Sequence, residues 1–213
     1  MLADLRADLE RFTGLVSEPM GRLRMWRSLL ETQGVWVVAA YRFGQWANEE
    51  APRPLQPIAK AAYLAAFKMV EITTGVSLPA HARIGKGFYI GHFGNIIIHP
   101  DTVMGERCSI SHGVTIGVLG GDRPGVPRLG NDVYVGSGAK ILGPVTIGDG
   151  AVIGANAVVV KDVPAGATAV GVPARIKLKR KNGESALGER GGLEADVEVR
   201  EREVGFARDA AAE

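Results

Sequence analysis

Leu129, Val135, Ile141, Ile147, Ile153 and Val159 recur at intervals of six residues without a break. Four positions after each stands a second small apolar residue: Val133, Ala139, Val145, Ala151, Ala157 and Val163. Glycine often follows the anchor directly, as at Gly130, Gly136, Gly148 and Gly154. Six residues are too few for a helical repeat unit. They suffice for a short strand and a turn, and such a unit buries its anchor only by stacking on its neighbours as a parallel β-helix. This pattern fixes the fold class.

The same repeat runs upstream in two registers: Ile84, Ile90 and Ile96, then Ile98, Met104, Ile110 and Ile116. Two extra residues enter just after His92. A second interruption, "VLGGDRPGVPR" (118–128), reads as a loop thrown out of the coil, and insertions into solenoids map to a functional face. His92 and His112 both hold the third position of their unit, which flanks the inward anchor and can point outward. Repeat position alone leaves both as surface histidines. Their place beside register faults favours function, because local irregularity concentrates at working sites. An imidazole also acts as a general base near neutral pH.

The other candidate groups read as structural. His81 in "PAHAR" and His99 in "IHPD" fall at other repeat positions, as surface or turn residues. Two stacked histidines plus one elsewhere leave a zinc site one ligand short, so no metal is expected. Cys108 occupies an inward position filled elsewhere by Val or Ala, and reads as core. As the single cysteine it excludes an intrachain disulfide.

Ahead of the repeats, residues 1–75 read as an α-helical segment, with apolar spacings of three and four in "LADLRADLERF" and "LRMWRSLLE". "ANEEAPRPLQP" marks a turn, and Gly75 a helix stop. Residues 76–176 form the repeat domain, and the charged stretch 177–213 reads as a disordered tail. The first residues lack the apolar run of a signal peptide, and the apolar windows are too short or too charged to span a bilayer. A formal net charge of +2 gives no electrostatic argument for nucleic acid. The expectation is a soluble, cytoplasmic protein.

"ARIGKG", "IGHFGNIII", "ISHGVTIG", "GDR" and the block "VGSGAKILGPVTIGDGAVIGANAVVVKDVPAGATAVGVPARI" resemble the hexapeptide-repeat acyltransferases, and within them the serine acetyltransferase branch. The resemblance covers residues 75–176. It implies a left-handed parallel β-helix behind the α-helical segment, assembled as a homotrimer whose helices can join two trimers. It also implies acetyl-CoA as co-substrate, bound between adjacent coils of two subunits. A coil of 18 residues, the geometry this family implies, puts His112 one coil plus two residues beyond His92. The two then share a face about 5 Å apart. His92 matches the family's general base, with His112 able to assist. Gly138, Ala139 and Ala157 become candidates for holding coenzyme A, and Lys161, Arg175 and Lys177 for meeting its phosphates. Arg123, Ser77 and Asn95 become candidates for binding the acceptor, a small molecule with a hydroxyl.

This sequence departs from the branch at three places. Gly91 stands where the family carries the Asp that holds the amino group of serine. Ser77 stands where it carries an acid that orients the imidazole; Glu71 or Asp101 are possible substitutes. The loop keeps Arg123 but lacks the family's histidine. A desolvated ammonium needs a carboxylate partner, so Gly91 argues for a sugar or other non-amino-acid acceptor beside serine. A γ-carbonic-anhydrase-like zinc enzyme and a non-catalytic β-helix scaffold are the remaining alternatives.

Overall fold

A computed structural model of the chain describes residues 2–14, 32–121 and 124–178. Helices α1 (Leu2–Gly14), α2 (Gln33–Gln45) and α3 (Gln56–Thr74) come first, with a π-helical turn at Trp46–Glu50 between the last two. Gly75 ends α3 in the left-handed conformation, φ 67°, and its N–H donates to Glu71 O at 2.9 Å. Only glycine takes that geometry without a Cβ penalty, so the predicted stop is real.

The rest of the described chain is short strands. β1 (Val76–Ser77), β4 (Ile96–Ile98), β7 (Thr115–Gly117), β10 (Lys140–Leu142) and β13 (Val158–Val159) make the first sheet. β2 (Arg83–Ile84), β5 (Val103–Met104), β8 (Arg128–Leu129) and β11 (Thr146–Ile147) make the second. β3 (Tyr89–Ile90), β6 (Ser109–Ile110), β9 (Tyr134–Val135), β12 (Val152–Ile153), β14 (Thr168–Val170) and β15 (Arg175–Lys177) make the third. All pairings are parallel except β14 with β15. From β1 to β12 the chain visits the three sheets in strict rotation, so every third strand is a neighbour. That is a three-sided parallel coil.

Register shows where the period breaks. Ile98 pairs with Ile116 and Lys140 with Val158, both offsets of 18 residues. Tyr89 pairs with Ser109 at an offset of 20, and Ser109 with Tyr134 at 25. The first excess is the two-residue slip, and the second is the 118–128 loop. Inside, Ile98, Ile116, Ile141 and Val159 stack on one face, and Ile90, Ile110, Val135 and Ile153 on another, all at most 2% exposed. Cys108 stacks between Phe88 and Val133 and is fully buried, as expected of a core residue. Burial pushes its thiol up to about 11.

One expectation needs correction. Ile96 is not a repeat anchor. It continues the column of second apolar residues, beside Val76 below and Val114 above. The extra residues lie inside the corner between Ile90 and Ile96, just after His92 as expected, and Ile98 is the anchor that follows.

The open end of the coil is covered by α1 and α2. Gly34 lets α2 approach β3 closely, since a Cβ there would meet Ile90 O at 2.7 Å. Arg42, 2% exposed, bonds the Asp8 carboxylate of α1 at 2.8 Å and the carbonyls of Ile84 and Gly85 at 2.9 and 2.7 Å. Asp8 also accepts the N–H of Phe88 at 2.8 Å. One buried ion pair thus joins two helices to the first coil. The second predicted helix, around "LRMWRSLLE", and the tail from residue 179 lie outside the described residues.

Candidate active site

The corner between β3 and β4 carries His92, and the corner one coil on, between β6 and β7, carries His112. Because Ile90 pairs with Ile110, the residues two positions later fall in line. Their rings meet edge-on, with centroids 6.0 Å apart and planes at 69°. Both side chains are exposed. Among the described residues neither ring makes a hydrogen bond within the chain, so both keep their nitrogens for a ligand. The juxtaposition implied by the resemblance is present.

The column continues with Ser137 and Ala155, two residues after Val135 and Ile153. Two imidazoles are therefore followed by two small side chains along one edge. The sequence carried this signal, but only to a reader counting forward from every anchor. The corner turns are left-handed at Gly94, Asn95, Gly113, Gly138 and Asn156. They are knitted together by Gly113 N–H to Gly94 O at 2.9 Å, Gly138 N–H to His112 O at 2.8 Å, and Asn156 N–H to Ser137 O at 2.8 Å. Among the described residues, the N–H groups of Phe93, Gly94 and Asn95 donate to no group of the chain, and they stand beside His92.

The other predicted residues are spread along the coil. Ser77 lies on β1, paired with Ile97, and its side chain is close to the Glu71 carboxylate at the end of α3. Lys68, 2.6 Å away, and then Ser77 hold that carboxylate below the usual range. Glu71 thus stands near Ser77, and no bond among the described residues joins it to His92. Asp101 is not the substitute. Its N–H donates to His99 Nδ1 at 3.2 Å and its carboxylate lies 3.8 Å from the same ring. His81 sits apart, in the turn before β2, so the four histidines do not converge.

Gly138 turns the corner above His112. Ala139 and Ala157 point their methyls into the core, and their carbonyls accept from Thr115 and Lys140 N–H at 3.0 and 2.8 Å. Lys161 lines a hollow with Val160, Pro173 and Ile176 near the far end of the coil. Arg175 and Lys177 flank Ile176 on β15, and strand alternation turns them to the opposite face from that hollow. Arg123 lies outside the described residues. Residue-by-residue reading missed Lys140, whose Nζ bonds the turn that follows His112.

Gly91, directly before His92, leaves room for a side chain. A Cβ built there would meet only Tyr89 Cε1 at 3.5 Å, Ile110 O at 3.8 Å and Ser111 Oγ at 4.0 Å. These are ordinary contacts, so the backbone does not demand glycine.

A three-sided coil of hexapeptides with an exposed histidine at a corner defines the class. Residues 127–161 match the family model "Bacterial transferase hexapeptide (six repeats)". The serine acetyltransferase of Helicobacter pylori strain J99 is 39% identical over 181 residues, spanning 84% of this chain and 99% of that one. The structure of Neisseria gonorrhoeae serine acetyltransferase in complex with serine superposes with a TM-score of 0.66 at 32% identity, covering 82% of this chain and 68% of that one. A serine acetyltransferase in complex with CoA gives 0.67 at 29%, covering 83% and 69%. The chain belongs to the serine acetyltransferase family.

Proposed function

We propose that this acetyl-CoA-dependent O-acetyltransferase of the serine acetyltransferase type uses His92 as general base. The acceptor hydroxyl loses its proton to the imidazole as its oxygen attacks the thioester carbonyl carbon. The tetrahedral oxyanion is stabilised by backbone N–H groups, and those of Phe93, Gly94 and Asn95, next to His92, are the candidates. The C–S bond then breaks, and the coenzyme thiolate takes the proton from the imidazolium. Products are the acetyl ester and free coenzyme A, with no covalent enzyme intermediate. The observation that carries the reading is the exposed imidazole of His92, without a hydrogen bond among the described residues and in line with His112, on a coil of this family.

The small side chains of Ser137 and Ala155 support a path for the thioester arm along the edge above the histidines. Its peptide groups would run past Gly138, Ala139 and Ala157, and Lys161 on one face or Arg175 and Lys177 on the other would meet the phosphates. The coil is left-handed in this reading, as the hexapeptide match and the related structures support. The molecule is a homotrimer in the cytoplasm, where acetyl-CoA is made. Exposed Phe93, Ile97 and Val118 beside the histidine corner support an intersubunit surface there.

A second reading concerns the acceptor. With no carboxylate at Gly91, a neutral hydroxyl compound such as a sugar competes with serine. Ser77, Asn95 and Arg123 remain the candidate acceptor contacts in both readings. Thiol release from acetyl-CoA with serine, homoserine, amino sugars and neutral sugars decides between them. Turnover with none of these acceptors would reject the assignment.

A further inference from the structure

We propose that Lys140 is a positioning residue for the histidine pair, acting through the turn that carries His112. Lys140 lies on the outward side of β10, next to Thr115 of the preceding coil. Its Nζ donates to Gly113 O at 2.6 Å and to Thr115 Oγ1 at 3.0 Å. Gly113 directly follows His112 in left-handed geometry, φ 71°. No backbone N–H of the described chain reaches its carbonyl. The ammonium therefore supplies the partner that the ladder omits, and a charged donor makes the stronger bond.

The same glycine is held from the other side. Gly113 N–H donates to Gly94 O, two residues beyond His92, at 2.9 Å. The Lys140 stem, the Gly113 turn and the Gly94 turn thus form one connected path across three coils, with a histidine on each of the lower two. Nothing in the repeat asks for a cation at this place. The outward residues at the same position on other coils are Ser77, Ile97, Thr115 and Val158. Lys140 fixes the backbone angle from which His112 projects, and with it the edge-on approach to His92.

That this positioning affects turnover rests on the assignment of His92 as base; the geometric claim stands apart from it. Lys140→Met keeps the aliphatic stem and removes the ammonium, and Lys140→Arg keeps a donor for both acceptors. In proton NMR of the free protein, the His92–His112 ring contact should be present in the parent and Lys140→Arg, and lost in Lys140→Met. With the acceptor the parent uses, Lys140→Met should lose about tenfold or more in kcat while the KM for acetyl-CoA stays within about twofold. Arginine should restore most of the loss. Ring contact and kcat both unchanged in Lys140→Met would overturn the proposal. So would an equal loss in both variants accompanied by a lower melting temperature, which marks a general structural role. If the parent acetylates no acceptor, the functional reading fails, and the ring contact still decides the role of Lys140.

Discussion

Replacing Gly91 with aspartate separates the two acceptor classes. The fold should accept the change. Gly91 is outside the left-handed region, and its built Cβ has 3.5 Å or more to every neighbour. Gly136 and Gly154, which continue the same column, would bring a Cβ to 2.8 and 2.7 Å of other atoms and are not replaceable in this way. Stability of Gly91→Asp should therefore stay within about 1 kcal/mol of the parent, with reduced unfolded-state freedom acting in its favour. A new carboxylate beside His92 would offer a serine ammonium a charge-assisted hydrogen bond of about 1.5–3 kcal/mol. If that bond forms in the transition state, kcat/KM for serine rises about 10- to 150-fold. A neutral sugar gains no such bond. The assay is thiol release under subsaturating acceptor, with melting temperature as the fold control. A folded variant in which serine and neutral sugar change in parallel would refute the reasoning.

Two further predictions concern the scaffold. Among the described residues, Arg42→Met leaves the buried Asp8 carboxylate with the Phe88 N–H alone, and should cost about 3–5 kcal/mol in urea unfolding; removing Asp8 as well, as Asp8→Leu, should recover much of the loss. A cost below 1 kcal/mol would mean that the ion pair does not hold the helices to the coil. Tyr41 donates to Ala82 O, and burial pushes its hydroxyl up to about 12. The folded state therefore favours the neutral phenol. Its stability contribution is complete below pH ~10, where the unfolded side chain begins to ionise, and is lost as pH rises toward 12, at up to about 1.4 kcal/mol per pH unit. Tyr41→Phe should flatten that alkaline fall, and an unchanged slope would contradict the sign.

The coil was legible from counting, and the histidine pair from counting together with the coil length that the family resemblance implies. Anchors at a period of six show themselves, and an offset of 20 residues between His92 and His112 needs only the coil length to become a contact. Ile96 reads as an anchor because it stands six residues after Ile90, but the two residues entering after His92 move that place to Ile98. Both registers give an apolar residue there. The Asp8–Arg42 pair spans 34 residues and two helices, and no local pattern announces it. Lys140 escaped notice for a related reason. An outward lysine in a repeat is ordinarily solvated, and only the three-dimensional placement of the Gly113 carbonyl gives it a partner. Glu71 reaching Ser77 likewise depends on where α3 ends, which the sequence set only through Gly75.

The central claim is tested most directly by His92→Ala. The account predicts that steady-state thiol release falls about 10²- to 10⁴-fold in kcat, while the KM for acetyl-CoA stays within a few-fold and the melting temperature is unchanged. A folded His92→Ala protein that releases thiol at the parent rate with the same acceptor would contradict it.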